Sequence, residues 1–518
     1  MDITIRGADV SHCQGACECG AVATNLAEHG VEHCFAVPGA PITHVAETAA
    51  ELLSGFEWSV NEKVAVENAL GLSFIGRRSA VMCKQNGLNV AFDALLNAAV
   101  HSIGAALVLI VADDLDCSRS TAMQDSRDLA EILRIPLIEP TLDGDLAHCI
   151  STAVRLSEAE SVPVVLRLTG TVPTGAGGGP EAVGDTVSGE RPRLDPAVAQ
   201  RLTKLGRVQH RRLRRHSTGS PVPGAEPMLA CADTHEVGLI YFGHSAVAAP
   251  DGACRLTLRR LDGDRDEKEI ARFVEEHARI VVLESPLPHV ERRIREQVPG
   301  GHQAIGRISG HLPPEGPIGA DAISRALAEG PADWRHVQAK TSGDSTYPPF
   351  HPAFAAIADL RRAGVFVATD VGSSVNLCYA PYEASDAAVC LGSAVSVAGG
   401  AARGDAPAVA VIGDYALLHT GLQSLLDVAV RRIPVVVVVL VNGTQDKTGG
   451  QPLAPSADRP DTADALIDRL VRAVGPDLPV DRLDCSATTA TAAVAQLNSR
   501  LADAPGVVLV RESAPAPA

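Results

Sequence analysis

Two short stretches near the C-terminus carry residue types able to hold a divalent cation. Gly413-Asp414-Tyr415 closes the run AVAVIGDY, Asn442 closes the run VVVVVLVN, and residues 416 to 440 lie between them. The intervening residues are patterned as an amphipathic helix followed by a buried strand, and a parallel strand pair needs a crossover of about a dozen residues or more. Right-handed crossovers bring both strand ends to one edge of a sheet, so Asp414 and Asn442 are expected to face one crevice. Ligands of open α/β sheets bind outside those carboxyl ends. A carboxylate, an amide oxygen and a main-chain carbonyl form a hard-oxygen set suited to Mg2+, which shares its coordination sphere with phosphate oxygens and water. Gly413 lets the turn approach a phosphate closely, and the helix that follows offers its N-terminus. The same residues also fit an ordinary βαβ unit with a capping Asp and a turn Asn.

A second acid stands out in EWSVNEKVAVENALG, residues 57 to 71, where a strand ends at Asn61-Glu62 and a helix begins. Taken alone, Glu62 reads as a first-turn acid favoured by the helix dipole.

The elements that must position these residues alternate in type. VEHCFAVPG, FEWSV, SAVMCKQ, AALVLIVADD, IPLIEP and VPVVLRLTG read as strands between helical patterns, which predicts a parallel α/β sheet in residues 1–172. Gly, Pro and charged residues dominate 173–235, including the basic run RVQHRRLRRHSTG, and this reads as a linker with a solvated helix. Residues 236–335 predict a small α/β middle unit with VGLIYFG and RIVVLES as its clearest strands. Residues 336–518 predict a second sheet from VFVATDVGSS, AVAVIGDY, VVVVVLVN and GVVLVRES. Two similar sheets in one chain suggest a shared site.

At 518 residues and 46% hydrophobic content, the chain is long enough for two or three cores. A net charge of −17 repels a polyphosphate backbone, and no apolar run approaches the roughly 18 residues of a membrane span, so neither nucleic acid nor membrane is expected as a partner. The N-terminal MDITIRGADVSH has no apolar signal core; a cytoplasmic location with mostly reduced cysteines is expected. In SHCQGACECG, His12, Cys13, Cys17 and Cys19 offer four soft ligands within eight residues, but their spacing fits neither a zinc nor an iron–sulfur pattern.

GDY, twenty-five residues and VN resembles the motif of thiamin diphosphate (ThDP) enzymes. The resemblance implies that Asp414, Asn442 and the main-chain oxygen of Thr444 hold the Mg2+ that clamps the cofactor's diphosphate, with Gly413, Tyr415 and Gly449 in the same cofactor-binding set. It also implies a role for Glu62: followed by Ala65 and Ala69, it matches the glutamate that hydrogen-bonds the pyrimidine ring. Longer stretches, EWSVNEKVAVE, KQNGLNVAFDAL, QDSRDLAEILRIPLIEP, CLGSAVSVAGG, GDYALLHTGLQSLLDVAV and TGGQP, are similar to the ThDP-binding subunit of indolepyruvate ferredoxin oxidoreductases. That similarity covers both sheets and, more faintly, VVLESPLPHVE in the middle unit. It makes the first sheet the pyrimidine-binding domain and the last the diphosphate-binding domain. By the same resemblance Gly372 and Ser373 line the diphosphate end, and Leu391 is the bulky residue under the cofactor. Gly39, Gly87 and Asn89 join the binding set, with Gly87 and Asn89 beside the pyrimidine. His419 is a second candidate for proton transfer, and a homodimer is implied.

The sequence also departs from that pattern. Gln85, a candidate catalytic residue, stands where a histidine is expected, Val441 replaces an acid beside Asn442, and TQDKTGG replaces a more apolar loop, leaving Gln445, Asp446 and Lys447 as possible substrate contacts. TYPPFHPAFAA occupies the place of a cysteine-rich segment, and VVLVRESAPAPA carries no ferredoxin-type cysteine run. The expectation is therefore non-oxidative decarboxylation of an aromatic 2-oxo acid such as indole-3-pyruvate, with acyloin-type coupling to a second carbonyl compound. Alternatives are oxidative decarboxylation with a separate iron–sulfur partner, simple decarboxylation, and a catalytically silent scaffold.

Overall fold

The computed structural model describes residues 16–115, 123–140, 146–169, 191–194, 227–231, 236–243, 252–261, 266–285, 287–314, 318–332, 347–453 and 460–512. The chain divides into two compact units, Met1–Val337 and Gln338–Ala518.

The first unit holds two sheets. β1 (His33–Ala36), β2 (Gly55–Trp58), β3 (Ser79–Lys84), β4 (Leu107–Asp113), β5 (Leu137–Ile138) and β6 (Val164–Thr169) lie in the order β5-β6-β4-β3-β1-β2, all parallel. Central strands of such a sheet are covered on both faces and so read as unbroken apolar runs rather than alternating ones. LVLIVAD of β4 is buried at every position: Leu107, Leu109 and Val111 enter one core, Val108, Ile110 and Ala112 the other. The second sheet has the order β11-β8-β9-β7, from β7 (Met228–Ala230), β8 (Val237–Phe242), β9 (Cys254–Leu258) and β11 (Arg279–Leu283).

Two strands depart from the expected layout. β7 lies inside the stretch read as linker and pairs antiparallel to β9. Between the sheets' sequences, β10 (Arg260–Leu261) leaves the middle unit and pairs antiparallel to β5, adding an edge to the otherwise parallel first sheet. Two- and three-residue edge strands carry too little periodicity to be read from sequence. Arg191, also in the presumed linker, pairs with Glu32 at 2.8 Å, and Leu194 N–H donates to the Phe74 carbonyl at 3.2 Å. The basic run, His12 and Cys13 fall outside the described residues; Cys17 and Cys19 belong to the helix Ala16–Glu28.

A buried charge network joins the two sheets of this unit. Arg167 of β6 donates to Asp113 at the end of β4 and to Glu139 beyond β5, each at 2.7 Å. Arg127 donates to Asp125 and to Glu284, which follows β11, each at 2.6 Å. Glu284 also accepts the N–H groups of Val290 and Glu291. Burial alone would raise Asp125, but Arg167 and Arg127 hold its carboxyl well below the usual carboxylate range. Such networks fix an arrangement more than they add net stability, yet removing one partner strands its buried counter-charges.

The second unit is a six-stranded parallel sheet in the order β13-β12-β14-β15-β19-β18, from β12 (Phe366–Thr369), β13 (Ala387–Ala388), β14 (Ala408–Gly413), β15 (Val435–Val441), β18 (Val480–Asp484) and β19 (Gly506–Arg511). β16 (Thr444–Gln445) and β17 (Gln451–Pro452) form a small antiparallel pair beyond β15. In β15, Val435, Val437, Val439 and Val441 enter one core while Val436, Val438 and Leu440 enter the other. That two-sided burial is why seven apolar residues run without a break. β14 and β15 are parallel neighbours with Gly413 opposite Leu440, so Asp414 and Asn442 emerge at the same sheet edge. Among the described residues no helix is long and apolar enough to cross a membrane.

Replacing Arg127 with Met should leave Glu284 buried without its guanidinium and Asp125 with Arg167 alone, and cost about 3–5 kcal/mol. The readout is the denaturant midpoint of the first unit's unfolding transition; a loss under about 1 kcal/mol would show that the network contributes little.

Candidate functional site

In the second unit, the strand-to-helix turn after β14 buries a carboxylate. Asp414 is 2% exposed. Its Oδ2 accepts the N–H groups of Asn442 at 3.1 Å and Gly443 at 2.8 Å, and its Oδ1 accepts the N–H of Tyr415 at 2.8 Å. Burial pushes the carboxyl up to about 6 against the pull of these backbone donors. A buried carboxylate without a cation is costly, and such groups are found paired or coordinating metal. Asn442 is buried beside it, its Oδ1 accepting the Thr444 N–H at 3.2 Å. Thr444 stands opposite Pro452, one step from the Leu453 N–H to Gly443 carbonyl bond, and in an antiparallel ladder that position turns its carbonyl away from the partner strand. Glu512, after β19, has its carboxyl pushed up to about 7 by burial and then by the charges of Asp446 and Asp414. This donor set and its concentrated negative charge fit a divalent cation.

The glycines beside it fit an anion. Gly372 follows β12 and Gly413 closes β14; their φ angles, −79° and −76°, are open to any residue. A Cβ at either would meet nothing within 4 Å. Packing among the described residues does not call for glycine here, so open space lies over two adjacent strand ends where phosphate groups would sit. Ser373 is buried next to Gly372. Gly449 differs: its φ of 118° is left-handed, so its glycine serves the turn between β16 and β17.

Asp370, which sequence reasoning passed over in DVGSS, organises the neighbouring loop. Fully buried at the end of β12, it accepts the N–H of Val371 at 2.8 Å and of Gly392 at 2.7 Å. Thr420 Oγ1 donates to the Leu391 carbonyl at 2.9 Å, so the peptide bond between Leu391 and Gly392 is held at both its oxygen and its N–H. Burial pushes Asp370 up to about 6, opposed by backbone donors and by His419. His419 is itself buried and sits in a π-helical turn, Leu417–Gly421, inside an otherwise α-helical stretch running to Arg431. Such bulges concentrate at functional sites. The Asp at a strand's carboxyl end, as in GDY, was the available signal for Asp370.

The polar loop closes the rim. Asp446 and Lys447 are exposed while Gln445 is buried. The Tyr347 hydroxyl bonds Asp446, and Lys447 Nζ lies 4.7 Å from the Tyr347 ring centroid. Tyr347 was also missed; nothing local in TYPPF distinguishes it from a packing aromatic.

In the first unit, Glu62 begins the helix Glu62–Phe74, capped by Asn61, whose side chain accepts the Val64 N–H at 2.9 Å. Glu62 is 6% exposed. A Cβ on Gly87 would lie 2.6 Å from Glu62 Oε1, so the two residues meet and only glycine fits. Gln85 is fully buried, its Oε1 accepting the Asp114 N–H at 3.3 Å. Gly39 packs on the Lys84 side chain, where a Cβ would come within 2.9 Å. Asn89 Nδ2 donates to Gln124 at 2.8 Å. Gly39, Glu62, Gln85 and Gly87 thus gather at the carboxyl edge of β1, β2 and β3.

Comparison with known proteins agrees with both halves. The family described as "Thiamine pyrophosphate enzyme, N-terminal TPP binding domain" matches residues 20–131, and "Thiamine pyrophosphate enzyme, C-terminal TPP binding domain" matches residues 370–507. Indolepyruvate oxidoreductase subunit IorA of Archaeoglobus fulgidus is 28% identical over 476 residues, 83% of this chain and 75% of that protein. The subunit of the same name from Methanothermobacter thermautotrophicus is 26% identical over 498 residues, 86% and 78% of the two chains. That from Pyrococcus abyssi is 25% identical over 524 residues, 88% and 79%. The chain thus carries both an N-terminal and a C-terminal thiamine pyrophosphate binding domain, and its similarity to these subunits runs over most of its length.

Proposed function

We propose that this ThDP-dependent 2-oxo acid enzyme releases CO2 from an aromatic 2-oxo acid of the indole-3-pyruvate type without net oxidation. The remaining acyl carbon is joined to a second carbonyl compound to give an acyloin, with one proton taken up per carboxylate consumed. The observation that carries cofactor use is the buried Asp414 carboxylate, hydrogen-bonded by main-chain N–H groups beside open space over Gly372 and Gly413. Asp414, Asn442 and the Thr444 carbonyl would hold Mg2+, and Gly372, Ser373 and Gly413 would admit the diphosphate. Bound there, ThDP supplies a carbon nucleophile and an electron sink for decarboxylation.

The chain's own residues divide the remaining tasks. Glu62 would hydrogen-bond the pyrimidine through its carboxyl group, for which Gly87 leaves room. Gln85 offers a fixed, uncharged wall, because its carboxamide oxygen is committed to the Asp114 N–H. Asp370 positions Leu391 and sits in the field of His419, the candidate for moving a proton at the substrate carbon. A homodimer is part of the same proposal.

The non-oxidative reading draws on the segment before the second sheet, where TYPPFHPAFAA stands in the place of a cysteine-rich run. Tyr347, Phe350, Phe354 and Tyr382 pack as an aromatic cluster, with ring centroids 5.3 Å apart for Phe354 and Tyr382 and 5.9 Å for Tyr347 and Phe354. The aromatic substrate class and the rival outcome, electron transfer to a separate iron–sulfur protein, both draw on relatives named as subunits of an indolepyruvate oxidoreductase.

Incubated anaerobically with indole-3-pyruvate, ThDP, Mg2+ and a mixture of aldehydes and 2-oxo acids, the protein should release CO2 without a viologen dye and yield acyloins by mass spectrometry. CO2 release that requires dye reduction would establish the rival outcome. Glu62→Gln should lower turnover about 10²- to 10⁴-fold, whereas turnover within threefold of the parent would remove Glu62 from the proton path.

Asp370 gives a pH test. Its folded pKa of about 6 lies above the usual carboxylate value, so its contribution to stability is full at low pH and is lost as pH rises through about 6. Lowering the pH from 7 to 5 should therefore stabilise the parent relative to Asp370→Asn, by about 1 kcal/mol. Parallel denaturant midpoints at both pH values would contradict this.

A further inference from the structure

Outside the cofactor site, the described residues hold one convergence of soft donor atoms, in the middle sheet of the first unit. The Sγ atoms of Cys231 and Cys254 and a ring nitrogen of His277 lie within 4.8 Å of one another. The register builds it: β7 pairs antiparallel to β9 with Ala230 opposite Arg255, which sets Cys231 across from Cys254, and the two form a disulfide. His277 follows the helix Glu267–Glu276 and is buried, as is Cys254, while Cys231 is exposed.

Two features go beyond a cross-strand disulfide. His277 Nδ1 lies 2.7 Å from the Phe273 carbonyl, so Nδ1 carries the hydrogen and Nε2 is the nitrogen with a lone pair. A carbonyl partner on the far ring nitrogen is the arrangement that orients metal-bound histidines. The ring is also seated: a Cβ on Gly238 would come within 2.9 Å of His277 Cγ and 2.7 Å of the Phe273 ring, so β8 gives up its side chain where these rings pack.

We propose that Cys231, Cys254 and His277 form a redox-gated site for a soft divalent cation such as Zn2+. With Zn–S near 2.3 Å and Zn–N near 2.0 Å, tetrahedral donors stand roughly 3.5–3.8 Å apart, a separation within the span of these three atoms once the disulfide opens. Opening takes two electrons and two protons from an external dithiol, which becomes a disulfide and leaves two thiols. Metal binding then releases the two thiol protons to solvent as the thiolates coordinate. Two cysteines and a histidine leave a fourth position for water or an added ligand. In the reduced state the cation would tie the edge strand β7 to the helix end at His277, taking over the cross-link that the disulfide makes in the oxidised state.

The test uses the full chain, reduced with a dithiol, freed of reductant under argon, and titrated with Co2+. One equivalent should bind with the intense near-ultraviolet charge-transfer absorption of thiolate–cobalt bonds. Cys231→Ser, at an exposed position, and His277→Gln should each weaken binding at least tenfold, with ThDP binding used to confirm folding. The protein oxidised with a small disulfide should bind no Co2+ with that signature. A disulfide that the dithiol leaves intact, a reduced protein without the charge-transfer band, or a band unchanged in Cys231→Ser would each overturn the proposal.

Discussion

The second unit is organised around a carboxylate that has been taken out of water and is met by main-chain N–H groups. Asp414 is met by three main-chain N–H groups from its own turn and the end of the neighbouring strand. These donors orient the group but do not neutralise it, and burial leaves the carboxyl raised to about 6. The parallel pairing of β14 with β15 creates this situation, since it delivers Asp414 and Asn442 to one edge. The valines that fill both cores make that pairing rigid. Asp446 and Glu512 add charge of the same sign close by. A divalent cation carrying an anionic ligand would satisfy charge, donors and open space together.

The first unit solves a different problem by the opposite means. Its carboxyl edge is partly filled by Arg127 and Arg167, which pair with acids from both sheets. Those ion pairs take up the ends of β4, β5, β6 and β11, and leave the ends of β1, β2 and β3 for Glu62, Gly87 and Gln85. One sheet edge is thus divided between a structural network and the candidate proton-handling group.

Much of this was legible in the sequence, for identifiable reasons. Asp414 and Asn442 could be placed because a valine run long enough for two cores and a helix of fixed length leave one way to connect them. Glu62 could be placed at a helix start, but its contact with Gly87 depends on how the turn after β3 folds back, which no local pattern encodes. Asp370 stood in a stretch already singled out for its glycine and serine, and its importance appears only once Gly392 and Leu391 are seen to hang from it. β7 and β10 were unreadable because two- or three-residue edges draw their stability from the partner strand. The pairing of Cys231 with Cys254, 23 residues apart, followed from β7 and was lost with it.

The central claim, that Asp414 is kept buried and charged to receive a metal-bound diphosphate, is tested most directly by calorimetric titration of the metal-free protein with ThDP, with and without Mg2+. The account predicts tight one-to-one binding that needs the cation, and at least a hundredfold weaker binding in Asp414→Asn, whose fold is checked by unaltered circular dichroism. Equal ThDP affinity in the absence of Mg2+, or in that variant, would contradict it.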